Sequence, residues 1–341
     1  MTNKKNKALL LAAIIAVPVL ALAAMVLRAV ALFTAFDGED YFFASSPLPN
    51  AFLIFTITSL LLFLLFAFLT RNKYAPAASA ERTELSLLFS SAFLSLSLIV
   101  LAFVSVLSAV GTSTPLLPLF HSALAVLSLL SFVYFAAFLR STAIAPASPR
   151  AYLALAPALF SLVGAILLYF DRSAQMNSPA KLLALASFIA LAFVFLVECR
   201  GFAVTAIPAR RYLSLAIGFY FAITASVPNL IYTLVRGSEL MLSSAYDFVL
   251  FAFALYFLSR LLELLPEAEK ETHALVRDLA EAAEGEAEEK VADAPADGAA
   301  TADEAVARGE EVAESNETPK PAREKKPRAK KEKGTEAEKT E

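Results

Sequence analysis

The apolar stretch from Leu242 to Leu262 has the length of a transmembrane helix and contains two charged side chains. Asp247 and Arg260 are separated by 12 residues, which places them about 20 Å apart on a helix, less than the hydrocarbon core of about 30 Å. Arg260 can extend its charge to the interface and has Glu263 at i+3 as a partner. Aspartate is too short to do this, so Asp247 is the leading candidate for a functional site.

Other polar residues are expected at the same depth as Asp247, near the outer ends of the predicted spans. They form a candidate outward-opening polar pocket, and the alternative is a set of structural ion pairs that hold helix ends. For the single histidine of this region we favour a structural role. The candidates at this depth are Asp247, His121, Asp171, Arg28, Arg172 and Arg236.

At the opposite, inner face, Glu198 is the residue whose charge needs a partner. Glu198 and Arg200 are two residues apart and therefore do not face each other on a helix. Arg260 or a basic residue of an inner loop would have to supply the positive charge. We predict a structural interfacial pair here, so Glu198 and Arg260 complete the set of candidate polar sites in the membrane.

Recognisable catalytic and metal-binding motifs are missing from the sequence. It has no HExxH, no glycine-rich phosphate loop and no GxSxG. Its two histidines are His121 and His273, and its single cysteine, Cys199, excludes an intrachain disulfide and a thiolate metal site. We therefore predict no catalytic residue, no cofactor and no metal.

The composition of the chain indicates a polytopic membrane protein. Hydrophobic residues make up 58% of the 341 residues, more than a soluble fold of this size carries. Charge is also segregated: residues 1–265 contain 16 basic and 10 acidic residues, whereas residues 266–341 contain 13 and 22. A membrane region and a charged tail of different character therefore meet near Pro266.

The membrane region is predicted to be all-α, a transmembrane helix bundle of about eight spans. The stretch Ala21-Leu22-Ala23 resembles a signal-peptidase site, but the apolar run continues beyond it, which favours an uncleaved first span. The predicted spans are approximately Ala8–Phe33, Ala51–Thr70, Leu85–Val110, Leu116–Leu139, Ala151–Phe170, Pro179–Val197, Leu213–Val235 and Leu242–Leu262.

Local signals refine three of these spans. In the sixth, Ser178 is placed to cap free amides, Pro179 suits the first helical position, and Lys181 can extend outward to the interface. In the seventh, Pro228 frees a backbone carbonyl and can kink the helix beside Asn229. The serines of the third span favour close helix packing over a polar pathway.

Basic residues predict the orientation of the bundle. Eleven lysines and arginines fall in the N-terminal segment and the loops of one side, and four fall on the other side. The side with more basic residues is cytoplasmic under the positive-inside rule. Both termini are therefore predicted to be cytoplasmic.

The tail from residue 266 to residue 341 is predicted to be disordered. Residues 266–317 contain 17 acidic and 4 basic residues, whereas Lys320–Lys333 contains 8 basic and 2 acidic ones. Too few apolar residues are present to bury a helix face. An acidic spacer thus leads to a basic tip that is suited to weak contact with anionic lipid or nucleic acid.

The elements Tyr-Phe-Asp at 169–171, Met-Asn-Ser-Pro-x-Lys at 176–181 and Glu-x-Arg at 198–200 resemble those of multi-pass membrane proteins of Gram-positive bacteria. The resemblance covers about a tenth of the chain. It implies a location in the bacterial plasma membrane and implies no activity.

Three functions are compatible with these features. The first is a non-enzymatic membrane protein that binds or senses a ligand, or organises a partner, with the tail as its cytoplasmic handle. The second is a small-molecule permease that uses the seventh span and the region of Asp247, although no internal repeat supports it. The third is an intramembrane enzyme, for which no nucleophile and base share one depth.

A peptide covering Lys320–Lys333 is expected to bind anionic vesicles, because each basic residue near such a surface contributes about 1 kcal/mol. The whole tail should bind more weakly, since its acidic spacer competes for the same charges. Binding should fade as the Debye length falls from about 10 Å at 0.1 M salt to about 3 Å at 1 M. Vesicle co-sedimentation measures this, and a tip peptide that stays in solution at low salt would contradict the lipid interpretation.

Overall fold

The computed structural model describes residues 2–37, 42–43, 46–71, 85–111, 116–140, 152–170, 178–203, 208–237 and 244–264. Within them the chain forms a bundle of eight helices, which confirms the predicted all-α fold; the predicted disordered tail lies outside these residues. A pair of two-residue antiparallel strands, β1 (Phe36–Asp37) and β2 (Phe42–Phe43), joins the first two helices. The helices are α1 (Thr2–Ala35), α2 (Pro47–Thr70), α3 (Leu85–Gly111), α4 (Leu116–Arg140), α5 (Leu155–Phe170), α6 (Pro179–Ala203), α7 (Pro208–Arg236) and α8 (Ser244–Leu262).

Seven of these helices are long and apolar enough to cross a membrane, and α5 is the shorter one. The fifth span was expected to begin at Ala151, but a turn at Ala154 separates α5 from the helical residues Tyr152 and Leu153. Pro157 explains the break, because it lacks the N–H that would bond the carbonyl of Leu153 in a continuous helix. The 16 residues of α5 therefore extend only about 24 Å.

Side-chain contacts show that α5 nevertheless connects the two ends of the bundle. The last turn of α4 lies beside Arg260, whose guanidinium carbon is 5.9 Å from the ring centre of Phe138. At the other end of α4, Phe120 stacks on Phe170, the last residue of α5. The chain therefore leaves α4 at the end of the bundle that contains Arg260 and returns through α5 to the opposite end.

The first and last helices have their outer termini at the same end of the bundle. The hydroxyl of Tyr212, near the start of α7, donates to the carbonyl of Ala13 in α1 at 2.9 Å. The neighbouring Arg211 pairs with Glu263, directly after α8, also at 2.9 Å. The start of α1 and the end of α8 thus lie on one side of the bundle, as an even number of crossings requires.

The core of the bundle is centred on α7 and α8. In the most apolar stretch of each helix, 72% of the residues are buried in α7 and 67% in α8, against 22% in α2. Between the two charged residues of α8, aromatic rings from three helices fill the interior, with a closest spacing of 5.0 Å between Phe135 and Tyr256. This aromatic layer comprises Phe135 of α4, Phe195 of α6, and Phe253, Tyr256 and Phe257 of α8, all fully buried.

Small residues allow the helices to approach closely, as the serine-rich third span predicted. Five of the serines on α3 are buried, and α3 packs against α4 and α8. Ser259 of α8 donates to the carbonyl of Ser86 across this contact at 3.2 Å. The five buried serines therefore lie in the interior of the bundle, as the prediction of close helix packing requires.

Two predictions about the start of α6 need correction. The helix begins at Pro179, as predicted, but the hydroxyl of Ser178 makes no hydrogen bond with the described residues, so the side-chain cap is not formed. Lys181 was expected to extend outward, yet its side chain is only 2% exposed. Lys181 is thus enclosed by protein and does not extend outward from the bundle.

Gly218 of α7 provides a test of this packing. A Cβ atom there would lie 2.5 Å from Cγ2 of Val194 and 3.1 Å from the ring of Phe257. We expect Gly218→Ala to lower the free energy of unfolding by about 1–3 kcal/mol through overpacking. Gly111→Ala is the control, because no atom lies within 4 Å of a Cβ there; unfolding titrations in mixed micelles would contradict the packing if both variants lost the same stability.

Candidate functional site

A buried network joins α1, α7 and α8 through Arg28, Asn229 and Asp247, and we call it the Asp247 network. The guanidinium of Arg28 donates to the backbone carbonyls of Thr224 and Ala225, the latter at 2.8 Å, and to Oδ1 of Asn229 at 2.8 Å. Nδ2 of Asn229 donates in turn to Oδ1 of Asp247 at 3.0 Å. Arg28, Asn229 and Asp247 are 4%, 8% and 1% exposed, so the network is enclosed by protein.

The position of Pro228 explains why an arginine is needed at this depth. In a regular helix the carbonyl of Thr224 would accept the N–H of residue 228, which proline lacks. An unpaired carbonyl in an apolar interior is costly, and in membrane helices another group normally satisfies it. Arg28 supplies that donor from α1. The sequence predicted the freed carbonyl, and the structure identifies the group that binds it.

Asn229 allows the charge of Arg28 to be coupled to that of Asp247. A carboxamide offers an acceptor oxygen and a donor NH₂ group, and here the oxygen faces the cation while the nitrogen faces the carboxylate. The arrangement brings one positive and one negative group into the same enclosed site. It fixes α1, α7 and α8 relative to one another.

The second polar site lies at the end of the bundle where α8 stops, and we call it the Glu198 cluster. Arg260 binds Oε1 of Glu198 through Nη2 at 2.6 Å and Nε at 3.1 Å, and binds Oε2 of Glu263 through Nη1 at 2.5 Å. Arg211 binds the same oxygen of Glu263 at 2.9 Å. The hydroxyl of Tyr256 donates to Glu198 at 3.3 Å. Arg260 thus binds Glu263, its predicted i+3 partner, and also Glu198, for which Arg260 was one of the two kinds of partner predicted.

The Glu198 cluster has equal numbers of positive and negative side chains, and these side chains differ in solvent exposure. It contains two arginines and two glutamates; the side chains of Arg260 and Glu198 are 9% and 8% exposed, whereas those of Arg211 and Glu263 are 26% and 21% exposed. Charge-assisted contacts of this kind are stronger than neutral hydrogen bonds. The cluster joins the ends of α6, α7 and α8, with the ring of Phe138 adding α4.

The remaining sequence candidates differ in where they lie. His121 is partly exposed on α4. Arg236 is exposed at the end of α7. Asp171 and Arg172 lie outside the described residues. Of the six residues proposed for an outward-opening pocket, the structure brings together Arg28 and Asp247.

Sequence reasoning did not select Asn229, Tyr256 or Arg211 as site residues. Two of them were nevertheless adjacent to a signal: Asn229 directly follows the helix-breaking Pro228, and Tyr256 precedes Arg260 by four residues on one helix face. Arg211 was only one of several basic residues expected near the inner face. Comparison of the chain with protein-family models, curated proteins and solved structures gives no match.

A double-mutant cycle tests the link between Arg28 and Pro228. We expect Arg28→Leu to lower the free energy of unfolding by about 3–5 kcal/mol, because it leaves two backbone carbonyls and Oδ1 of Asn229 without their donor and removes the positive charge that compensates Asp247. In a Pro228→Ala background the new N–H can bond the carbonyl of Thr224, so the loss caused by Arg28→Leu should be smaller by about 1 kcal/mol or more.

The control for this cycle is Arg236→Leu, which removes an exposed arginine of α7 and should change stability by less than about 0.5 kcal/mol. Denaturant titration in mixed micelles measures all four members of the cycle. Equal costs of Arg28→Leu in the two backgrounds would contradict the role of Arg28 as the donor to the freed carbonyl.

Proposed function

We propose that this integral membrane protein is non-enzymatic and organises a partner at the bacterial plasma membrane, with its transmembrane bundle as the anchor and its charged tail as the handle. The observation that carries the proposal is the position of Glu263. It follows the last residue of α8, directly before the segment that leads into the tail, and two arginines hold it at 2.5 and 2.9 Å. The chain is thereby held to α7 and α8 at Glu263, shortly before the predicted tail.

The interior of the bundle supports an anchoring role. The charged residues of the Asp247 network and the Glu198 cluster are engaged with protein groups, and the aromatic layer separates them along α8. Buried pairs of this kind add little net stability, but they fix which helices meet and at what depth. A bundle held in this way suits a fixed attachment for a partner.

The bias of basic residues supports a cytoplasmic location for the tail. The start of α1 and the end of α8 lie at the end of the bundle that contains the Glu198 cluster. The predicted loops of that side carry the larger number of lysines and arginines, which favours the cytoplasmic side. A partner organised by the tail would therefore be a cytoplasmic protein or the peripheral part of a membrane complex.

A small-molecule permease is the second candidate, and Pro228 inside α7 favours it. Freed backbone groups of membrane helices that face the protein interior occur at transport sites. In this chain Arg28 binds the carbonyls of Thr224 and Ala225. Transport would require those bonds to open in another conformation, so the two candidates differ in whether the Asp247 network must open.

The test compares the full chain with a chain that ends at Leu264, both expressed with an N-terminal tag and cross-linked in intact membranes. We expect equal accumulation, because the contacts described above for the eight-helix bundle lie among residues that the truncated chain retains. A cross-linked adduct of defined mass should form with the full chain only. Equal adducts from both chains would contradict the role of the tail, and solute uptake by proteoliposomes containing the truncated chain would favour the permease.

A matched pair of variants tests whether the contact between Arg211 and Glu263 is needed for the partner to bind. Arg211→Gln removes one of the two arginines that hold Glu263, whereas Arg210→Gln removes an exposed neighbour that is not part of the Glu198 cluster. We expect a lower adduct yield for Arg211→Gln and an unchanged yield for Arg210→Gln at equal protein accumulation. Identical yields from the two variants would show that the attachment at Glu263 has no part in the function.

A further inference from the structure

An aliphatic groove runs between α2 and α7 on the surface of the bundle. Its α2 side presents residues spaced by three and four positions, which form one helix face. Three of these side chains, Ile57, Leu61 and Leu64, are 51%, 61% and 54% exposed. The residues that line the groove are Ile57, Leu60, Leu61, Leu64, Leu213 and Ile217.

Two exposed arginines lie beyond the same end of this groove. Arg71 follows the last residue of α2, seven positions after Leu64, and Arg210 precedes Leu213 by three positions near the start of α7. The C-terminal end of α2 lies at the end of the bundle where α7 begins. Along their helix axes, Arg71 therefore lies about 10 Å beyond Leu64 and Arg210 about 5 Å beyond Leu213. Both arginines are exposed, in contrast to the neighbouring Arg211, which is paired with Glu263.

The direction of α2 follows from its contacts. The paired strands β1 and β2 reverse the chain between α1 and α2, so α2 starts at the end where α1 stops. That end is marked by the ring of Phe36, which lies 5.9 Å from the ring of Tyr232 near the end of α7. Along the middle of α2, Thr56 accepts a hydrogen bond from Tyr220 of α7 at 2.9 Å. Arg71 and Arg210 are therefore at the same end of two adjacent helices.

We propose that this groove and the two arginines form a binding site for an anionic phospholipid. One acyl chain lies along the aliphatic face of α2 and α7, where it contacts only hydrocarbon side chains. The phosphodiester lies at the end of the groove, where Arg71 and Arg210 supply positive charge and N–H donors. The ring of Phe68, 5.3 Å below the guanidinium carbon of Arg71, helps to hold that side chain at the membrane surface.

The charge at the end of the groove selects this occupant over an uncharged lipid or a second copy of the chain. An acyl chain alone would gain little from the groove, since lipid tails are as apolar as the side chains that line it. Selectivity must therefore come from the headgroup. Each arginine near an anionic headgroup contributes about 1 kcal/mol, which corresponds to about fivefold in affinity. A second copy would instead place the like-charged arginines close together.

Native mass spectrometry of the full chain in detergent tests the site. The probes are phosphatidylglycerol and phosphatidylcholine with identical acyl chains. We expect retention of one phosphatidylglycerol molecule in clear preference to phosphatidylcholine, and about a 25-fold loss of that preference in Arg71→Gln/Arg210→Gln. Arg236→Gln, an exposed arginine at the opposite end of α7, should retain the preference.

A second variant tests the groove itself without relying on the arginines. Leu61→Trp fills the groove at a side chain that is 61% exposed, so it should fold normally and reduce phosphatidylglycerol retention. Equal retention of the two lipids by the unmodified chain would overturn the proposal. So would an unchanged preference in the double arginine variant, unchanged retention in Leu61→Trp, or a dimer that Leu61→Trp dissociates.

Discussion

The arrangement of the central helices depends on one requirement, that the carbonyl freed by Pro228 find a donor inside an apolar bundle. Arg28 meets it from α1, which fixes the depth of α1 against α7 because only one turn of each helix brings these groups together. A guanidinium at this depth also needs a compensating charge, since an unpaired buried cation is strongly unfavourable. Asn229 links it to Asp247, and α8 is thereby fixed at the same level. The relative heights of three helices thus follow from the position of a single proline.

The same helix, α8, connects the two polar sites and keeps them apart. Asp247 stands in its first turn and Arg260 in its last, and the rings of Phe253, Tyr256 and Phe257 fill the space between. These fully buried rings exclude water, so the polar groups at each end act in a medium of low polarity, where a satisfied group is held firmly and an unsatisfied one is costly. Tyr256 belongs to both parts: its ring packs in the aromatic layer and its hydroxyl donates to Glu198. The aromatic layer and the Glu198 cluster are therefore a continuous structure.

The sequence alone predicts where the helices lie along the chain, but it says much less about which helices pack against each other. The positions of the apolar helices along the chain, the helix start at Pro179 and the charge pair at i+3 between Arg260 and Glu263 are local properties, and all three are present in the structure. The pairing of Arg28 with α7 joins residues 196 positions apart, and no local pattern specifies which helices are adjacent. Lys181 illustrates the same limit, since its place near a helix end predicts an outward side chain only if that face is not covered by protein. The freed carbonyl of Thr224 could be derived from Pro228, but its donor could not.

The two polar sites contain different groups that need partners. Both hold helices together, and neither offers free charge to an approaching ligand. The Asp247 network satisfies a backbone carbonyl in the interior, whereas the Glu198 cluster balances two arginines against two glutamates close to the surface. A balanced cluster projects little net field beyond its own contacts, because opposite charges a few ångströms apart cancel at longer distances. Arg71, Arg200 and Arg210 are exposed at the same end of the bundle and are not members of the cluster. Any anionic group that approaches this end would therefore be attracted by these exposed arginines, while the paired ones continue to hold the helices.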